Sequence, residues 1–272
     1  MRYGCCVNMV TKTHDGSGTD IVPVLKTLGF DYAEISLSHL CALGNSEFQS
    51  VKSHLLYPGL PLEVCNNFFH ASINLTGLLV NTGIIREYLE KAFLRVSVLG
   101  VKVIVFGSGM ARMVPPGFSQ NDAMHQLAGL LRLIGQYARE FGITIAIEPL
   151  RKQECNIINT YQEGLALQKL SNDPHVKCLL DYYHLMEENE PVSVIQSDPE
   201  SLAHVHFSEH VGRVFPSGVS KKKYIAFFSE LKQAGYDQRI SIEAYSTNFT
   251  EDARYALQLL KEIEFELNTN IY

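Results

Sequence analysis

The stretch Leu127–Glu148, LAGLLRLIGQYAREFGITIAIE, decides the fold. Its first part sets Leu127, Leu130, Leu131, Ile134 and Ala138 at helical spacing, which gives one apolar stripe on an amphipathic helix. Phe141-Gly142 then ends that helix, because glycine accepts the left-handed conformation that closes a last turn. The residues that follow, Ile143–Ile147, carry no charge and little polar alternation, as a strand does when both its faces are buried. A helix, a glycine turn and a buried strand in immediate succession make an αβ unit of a parallel sheet. The strand closes on a carboxylate, Glu148.

The same unit recurs in both directions along the chain. Apolar runs that read as strands lie at Tyr3–Asn8, Tyr32–Leu37, Leu62–Asn66, Lys102–Phe106, Ile143–Ile147, Lys177–Leu180, Ala203–Phe207 and Ile240–Glu243. Helical patterns lie between them at Asp20–Leu28, Glu47–Leu56, Ile85–Leu99, Tyr161–Leu170, Val192–Gln196 and Lys222–Ala234. A last one carries Ala253, Ala256, Leu257, Leu260 and Ile263. Gly29, Gly100, Gly142 and Gly235 each stand just past a helix and ahead of a strand. Eight such strands predict an α/β fold, a closed (β/α)8 TIM barrel with right-handed crossovers. The alternative is a doubly wound open sheet, but its G-x-G-x-x-G turn is missing after the first strand. Gly107-Ser108-Gly109, after the fourth, is too short to replace it. No linker or low-complexity segment divides the 272 residues, so one barrel domain over 1–272 is expected.

Composition narrows the partners. Lys+Arg 23 against Asp+Glu 29 leaves a net charge of −6, which argues against a chain that neutralises phosphate backbones, so no nucleic-acid partner is expected. No apolar run approaches the ~18 residues of a membrane span, and the first residues lack the apolar region of a secretory leader. A cytoplasmic protein that engages no membrane is the expectation. Cys5, Cys6, Cys41, Cys65, Cys155 and Cys178 are scattered beside apolar residues, which points to reduced, packed thiols. A small-molecule substrate fits these constraints best.

In such a barrel the chemistry sits where strands end and βα loops begin. Four consecutive strands each deliver one ligating side chain there: Glu148, Asp181, His206 and Glu243. Singly, each has an ordinary explanation, since strand-end carboxylates cap helices and a lone histidine in an apolar strand is usually a core residue. Jointly, three carboxylates on one rim would repel unless a cation held them. Three carboxylates and an imidazole, without a thiolate, suit one divalent ion, Mn²⁺ foremost and Mg²⁺, Co²⁺ or Fe²⁺ after it, better than Zn²⁺. Alternation puts His204 and His206 on one face, so spacing does not choose between them. His184, Glu154 and Glu209 follow Asp181, Glu148 and His206 in what read as loops over the rim.

Five segments occur in a telling order: Phe106-Gly107-Ser108-Gly109-Met110-Ala111-Arg112, Ile147-Glu148-Pro149, Asp181-x-x-His184, His204-x-His206-x-x-Glu209 and Ile242-Glu243. Through them the chain resembles the xylose-isomerase-like TIM barrels, and within these the sugar phosphate isomerase/epimerase family that contains the tagatose and psicose 3-epimerases. The resemblance implies a metal held by Glu148, Asp181, His206 and Glu243, and substrate contacts from Glu154 and His184. Arg112, Glu209 and Arg213 join them as further substrate-binding candidates. It also implies a homo-oligomeric isomerase or epimerase of carbohydrate metabolism, working on a ketose or related polyol derivative through a cis-enediolate. Glu148 and Glu243 would be its acid–base pair. The chain departs from the family pattern in its loops. The family arginine six positions past the metal histidine is Gly212 here, with Arg213 one later. The family's Pro-Gly-x-Gly is reduced to Pro216-Ser217-Gly218, and Arg151 stands where relatives often carry asparagine. Two rivals share the barrel. One is a lyase acting on a keto-sugar, an oxidised glycoside or an inositol derivative. The other is an apurinic-endonuclease-like hydrolase, which would recruit further histidines such as His14, His39, His54 or His70.

Overall fold

The computed structural model describes residues 1–269. Its strands are β1 (Arg2–Cys6), β2 (Tyr32–Ser36), β3 (Val64–Asn66), β4 (Val103–Phe106), β5 (Thr144–Ile147), β6 (Val176–Asp181), β7 (Leu202–Phe207) and β8 (Arg239–Ile242). They pair in parallel in chain order, and β8 pairs with β1 to close the expected eight-stranded barrel. The helices are α1 (Val22–Leu28), α2 (Leu37–Ala42), α3 (Asn45–Leu56), α4 (Thr82–Ser97), α5 (Gly109–Arg112), α6 (Gln120–Phe141), α7 (Tyr161–Ser171), α8 (Tyr182–Glu187), α9 (Lys221–Gln233) and α10 (Phe249–Asn268).

The local signals explain the elements. Ser119 Oγ caps α6 by accepting the Asp122 N–H at 3.3 Å, and the stripe Ala123, Leu127, Leu131, Ile134 and Ala138 is buried against the sheet. Gly142 ends that helix at φ 63°, its N–H directed at the carbonyls of Ala138 and Arg139. Thr160 and Glu163 form a capping box at the start of α7. All six cysteines are buried and unpaired, as expected. No helix among the described residues is long and apolar enough to cross a membrane.

Three expectations about the elements need correcting. The first strand stops at Cys6, and Val7–Met9 form a 3-10 turn instead of its continuation to Asn8. Val192–Ser197 is likewise 3-10, too short and too β-branched for an α-helix. The helices α2 and α8 follow β2 and β6 without an intervening loop, so His184 lies on a helix.

Two cores result. A large one lies between strands and outer helices, and a smaller one of Tyr32, Val64, Val103, Val105, Ala146 and Leu179 fills the lumen. Tyr32 reaches so far across that a Cβ on Gly4 would lie 2.2 Å from its ring, which is why β1 carries glycine there. Alternate residues point into the lumen, and the register sets the layers. His204 pairs with Leu179 at the apolar level, while His206 pairs with Asp181 one layer nearer the rim. His206 also pairs with Ser241, and Cys6 with Glu34.

Candidate metal centre and active site

Four side chains from the ends of β5 to β8 meet in the lumen. Glu148 and Glu243 sit one residue past β5 and β8, their N–H groups still bound to the Phe106 and Phe207 carbonyls of the neighbouring strands at 3.2 and 3.1 Å. Asp181 ends β6, and its Oδ1 accepts the Tyr183 N–H at 2.7 Å, capping α8. That bond holds the carboxylate in place with Oδ2 left toward the site. His206 Nδ1 lies 2.9 Å from Glu148 Oε1 and 3.2 Å from Glu243 Oε2. One donor atom from each of Glu148, Asp181, His206 and Glu243 falls within 4.8 Å of all the others, and every one of these residues is buried. Gly107 leaves the room this needs, since a Cβ there would lie 2.1 Å from Glu148 Oε2.

Crowding of charge shows in the proton affinities. Burial pushes Asp181 up to about 7; Arg213 opposes the shift, while Glu243 adds to it. Glu148 is also raised, by burial first. Burial acts on Glu243 in the same sense, but Arg213 and His206 outweigh it and hold that carboxylate well below its usual range.

Beneath the four lies a residue that pattern reading passed over. Glu34, fully buried on β2, bridges the two histidines: Oε1 is 2.8 Å from His206 Nε2 and Oε2 is 3.0 Å from His204 Nε2. Burial works against its ionisation, yet His206 and His204 bring it down to about 2. The signal was a charged residue inside the apolar run Tyr32-Ala33-Glu34-Ile35, where an unpartnered carboxylate has no place. The structure therefore gives the two histidines different places, with His206 in the ligand layer and His204 below it.

Around the rim, His184 is buried and accepts the Arg151 N–H on Nδ1 at 3.3 Å. Burial first, and then Arg213, push its proton affinity well below the ordinary imidazole value, so it is neutral with its hydrogen on Nε2. Nε2 has no hydrogen-bond partner in the protein and lies 3.6 Å from Asp181 Oδ2 and 4.0 Å from Glu154 Oε2. Arg213 reaches the same place. Its Nη2 donates to Glu243 Oε2 at 2.6 Å and lies 3.3 Å from Asp181 Oδ2, while its guanidinium carbon stacks 4.8 Å from the Tyr183 ring centre. Gly212 at φ 81° and Arg213 at φ 50° turn the loop back over the barrel mouth.

Two candidates have their polar atoms engaged within the protein. Arg112 is fully buried and spends its guanidinium on the carbonyls of Phe106 and Glu148, at 2.8 and 2.7 Å, bracing the strand ends under the site. Glu209 turns away as well, because its oxygens accept from Ser220 Oγ at 2.9 Å, from the His210 N–H at 3.0 Å and from the Tyr224 hydroxyl, which ties the loop to α9. Arg151 is held at the rim between Glu154 Oε1 at 2.8 Å and Glu187 Oε2 at 3.0 Å. Among the described residues, His14, His39, His54 and His70 join neither cluster in which three or more ligating atoms converge, so the further ligands of the hydrolase reading are not assembled.

A model of the xylose isomerase-like TIM barrel matches residues 22–263. The chain belongs to this family. Over 139 residues it is 32% identical to an L-ribulose 3-epimerase of Methylomonas sp. (strain DH-1), an alignment covering 50% of this chain and 47% of that enzyme. It is 27% identical over 255 residues to a ketose 3-epimerase of Arthrobacter globiformis, covering 91% and 85%. The D-psicose 3-epimerase of Clostridium cellulolyticum H10, solved with D-tagatose, superposes with a TM-score of 0.81 at 19% identity over 97% of this chain and 99% of that one. The resemblance read from the sequence and the xylose isomerase-like fold are thereby borne out.

The donor chemistry fits a divalent cation in this barrel. Three buried carboxylates converge on one imidazole nitrogen, and a cation would compensate the burial and like-charge repulsion that together raise Asp181.

Proposed function

We propose that this xylose isomerase-like barrel is a divalent-metal-dependent sugar epimerase acting on an unphosphorylated ketose or a closely related keto-sugar. The observation that carries the reading is the approach of Glu148 and Glu243 to His206 Nδ1 from two different strand ends, at 2.9 and 3.2 Å. Glu148, Asp181, His206 and Glu243 would hold the cation, and their oxygen-rich set favours Mn²⁺, with Mg²⁺, Co²⁺ or Fe²⁺ behind it. When bound, such an ion polarises a carbonyl and stabilises the negative charge developing on its oxygen, which contributes several kcal/mol.

The chain's own groups do the rest. One glutamate takes the proton from the carbon beside the sugar carbonyl, and the other returns a proton to the opposite face of the cis-enediolate, inverting the centre. His184, neutral and with its Nε2–H unpartnered, is placed to donate to a neighbouring sugar oxygen, and Glu154 to accept from a hydroxyl. Arg213, tied to Glu243 and Asp181, positions those carboxylates and borders the substrate. Among the described residues at the rim, a phosphate finds no unpaired arginine: Arg151 is paired with Glu154 and Glu187, Arg213 with Glu243, and Arg112 is buried. Six buried free thiols suit the reducing cytoplasm in which we place the enzyme, as a homo-oligomer of single-barrel chains.

The test is a panel of ketoses and inositol derivatives incubated with Mn²⁺-loaded protein in D₂O and followed by NMR. Deuterium next to the carbonyl together with a new diastereomer is expected. An unsaturated product would replace the epimerase with a lyase, and no exchange with any keto-sugar would refute both.

A further inference from the structure

We infer that Glu34 is a positioning residue for this site: from the floor of the barrel it locks His206 in the orientation and tautomer that present Nδ1 to the cation. The inference rests on the metal-dependent reading above and adds to it a residue outside the ligand set.

The geometry is specific. Neighbouring strands fix the Glu34 backbone on both sides, through Cys6 on β1 and Val64 on β3. Both carboxylate oxygens are used, one on His206 Nε2 at 2.8 Å and the other on His204 Nε2 at 3.0 Å, with all three side chains fully buried. A carboxylate in such a place accepts; both Nε2 atoms therefore carry hydrogen. His204 Nδ1 is left without a partner, which is consistent with a bare lone pair there. Below, Ser241 Oγ lies 3.3 Å from His204 Nε2 and 2.9 Å from Tyr32 Oη, so His204 is itself held and Glu34 cannot swing away with it. With its hydrogen fixed on Nε2, His206 has only Nδ1 to offer a metal, and a carboxylate behind the ring makes that nitrogen a better donor. Cys6 Sγ lies 4.0 Å from His206 Nε2, so Cys6, Glu34 and His206 also gather ligating atoms, and the ion stoichiometry separates a second ion there from the positioning role.

Glu34→Gln keeps the shape and removes the second acceptor. With its amide oxygen on His206 the variant loses the negative charge behind the ring, and with its NH₂ on His206 it forces the ring hydrogen onto Nδ1, so either arrangement weakens Nδ1 as a donor. Mn²⁺ titration of the full chain, read by EPR of the free ion, should give one ion per chain and a 10- to 100-fold loss of affinity in the variant, with its thermal midpoint close to wild type. His204→Gln, whose NH₂ can still donate to the same carboxylate oxygen, should bind Mn²⁺ within a few-fold of wild type. NMR of ¹⁵N-histidine-labelled protein should show the His206 Nε2 hydrogen both after chelation and with Zn²⁺ as a diamagnetic probe, and Zn²⁺ should perturb Nδ1. Unchanged affinity in Glu34→Gln, an equal loss in His204→Gln, a second ion per chain, or a His206 Nε2 without hydrogen would each overturn the role. Wild-type protein that binds no divalent ion would instead defeat the functional reading, while the chelated spectrum would still show whether His206 Nε2 carries the hydrogen that Glu34 accepts.

Discussion

Gly107 is the residue at which the site has least slack. A methyl group there would meet Glu148 Oε2 at 2.1 Å, and the carboxylate is the only partner able to move. Gly107→Ala is therefore expected to lower turnover by about 10²-fold, the usual effect of displacing a reacting group by roughly 1 Å, with little change in the thermal midpoint. Steady-state kinetics beside a melting curve separate the two effects. Asp181 carries a second expectation. Its proton affinity is raised to about 7, so below that pH it holds a proton that a cation must displace. Metal affinity should then weaken as pH falls through 7, with proton release on binding, in calorimetric titrations at pH 6, 7 and 8; affinity independent of pH would remove Asp181 from the ligand set. The residue scale is also where sequence reading was most uneven. Glu148, Asp181, His206 and Glu243 stand out because strand ends are marked by the apolar runs before them. Glu34 does not, because its partners come from a strand 170 residues away in the chain. Arg112 and Glu209 show the complementary limit: polarity near a rim says nothing of whether a side chain is already satisfied by carbonyls or by a neighbouring helix.

At the scale of elements, the strands were legible since they are short, largely apolar runs, and β2, β4, β5 and β8 each follow a glycine that closes a helix. Gly29, Gly100, Gly142 and Gly235 adopt φ between 63° and 86°, the left-handed closures their positions called for. The short helix α8 was not legible, because it takes its cap from Asp181, the same residue that ends the strand. One carboxylate thus fulfils the ordinary explanation and the functional one together, its two oxygens dividing the work. The loop after β7 was misleading in another way. Counting residues from His206 does not show where the arginine reaches, whereas the left-handed pair Gly212-Arg213 brings its guanidinium onto Glu243. Gly212→Ala would force a Cβ into that conformation at a cost of about 1–2 kcal/mol, and the loop should relax by withdrawing Arg213. The expected result is a higher KM for the keto-sugar and weaker restraint on Glu243, while the far-UV spectrum is unchanged. An unaltered KM would show that Arg213 does not border the substrate.

Over the whole molecule, the barrel gathers buried negative charge at one end of its lumen. Among the described residues, the basic side chains within 4 Å of the Glu34, Glu148, Asp181 and Glu243 carboxylates are His184, which is neutral, with His204, His206 and Arg213. A protein built this way should be stabilised by its ion. At a hundred times its dissociation constant, Mn²⁺ should add about 2.7 kcal/mol, provided it does not bind the unfolded chain. The thermal midpoint should rise on adding Mn²⁺ after chelation and stay flat in Asp181→Asn. A rise of equal size in that variant would place the binding elsewhere.

The most direct measurement is anomalous diffraction at the manganese edge from crystals of the wild-type chain soaked in Mn²⁺. One strong peak in simultaneous contact with Glu148, Asp181, His206 Nδ1 and Glu243 is the expected result. A peak that touches fewer than three of them, or one seated between Cys6 and Glu34, would contradict the metal centre and the proton transfer built upon it.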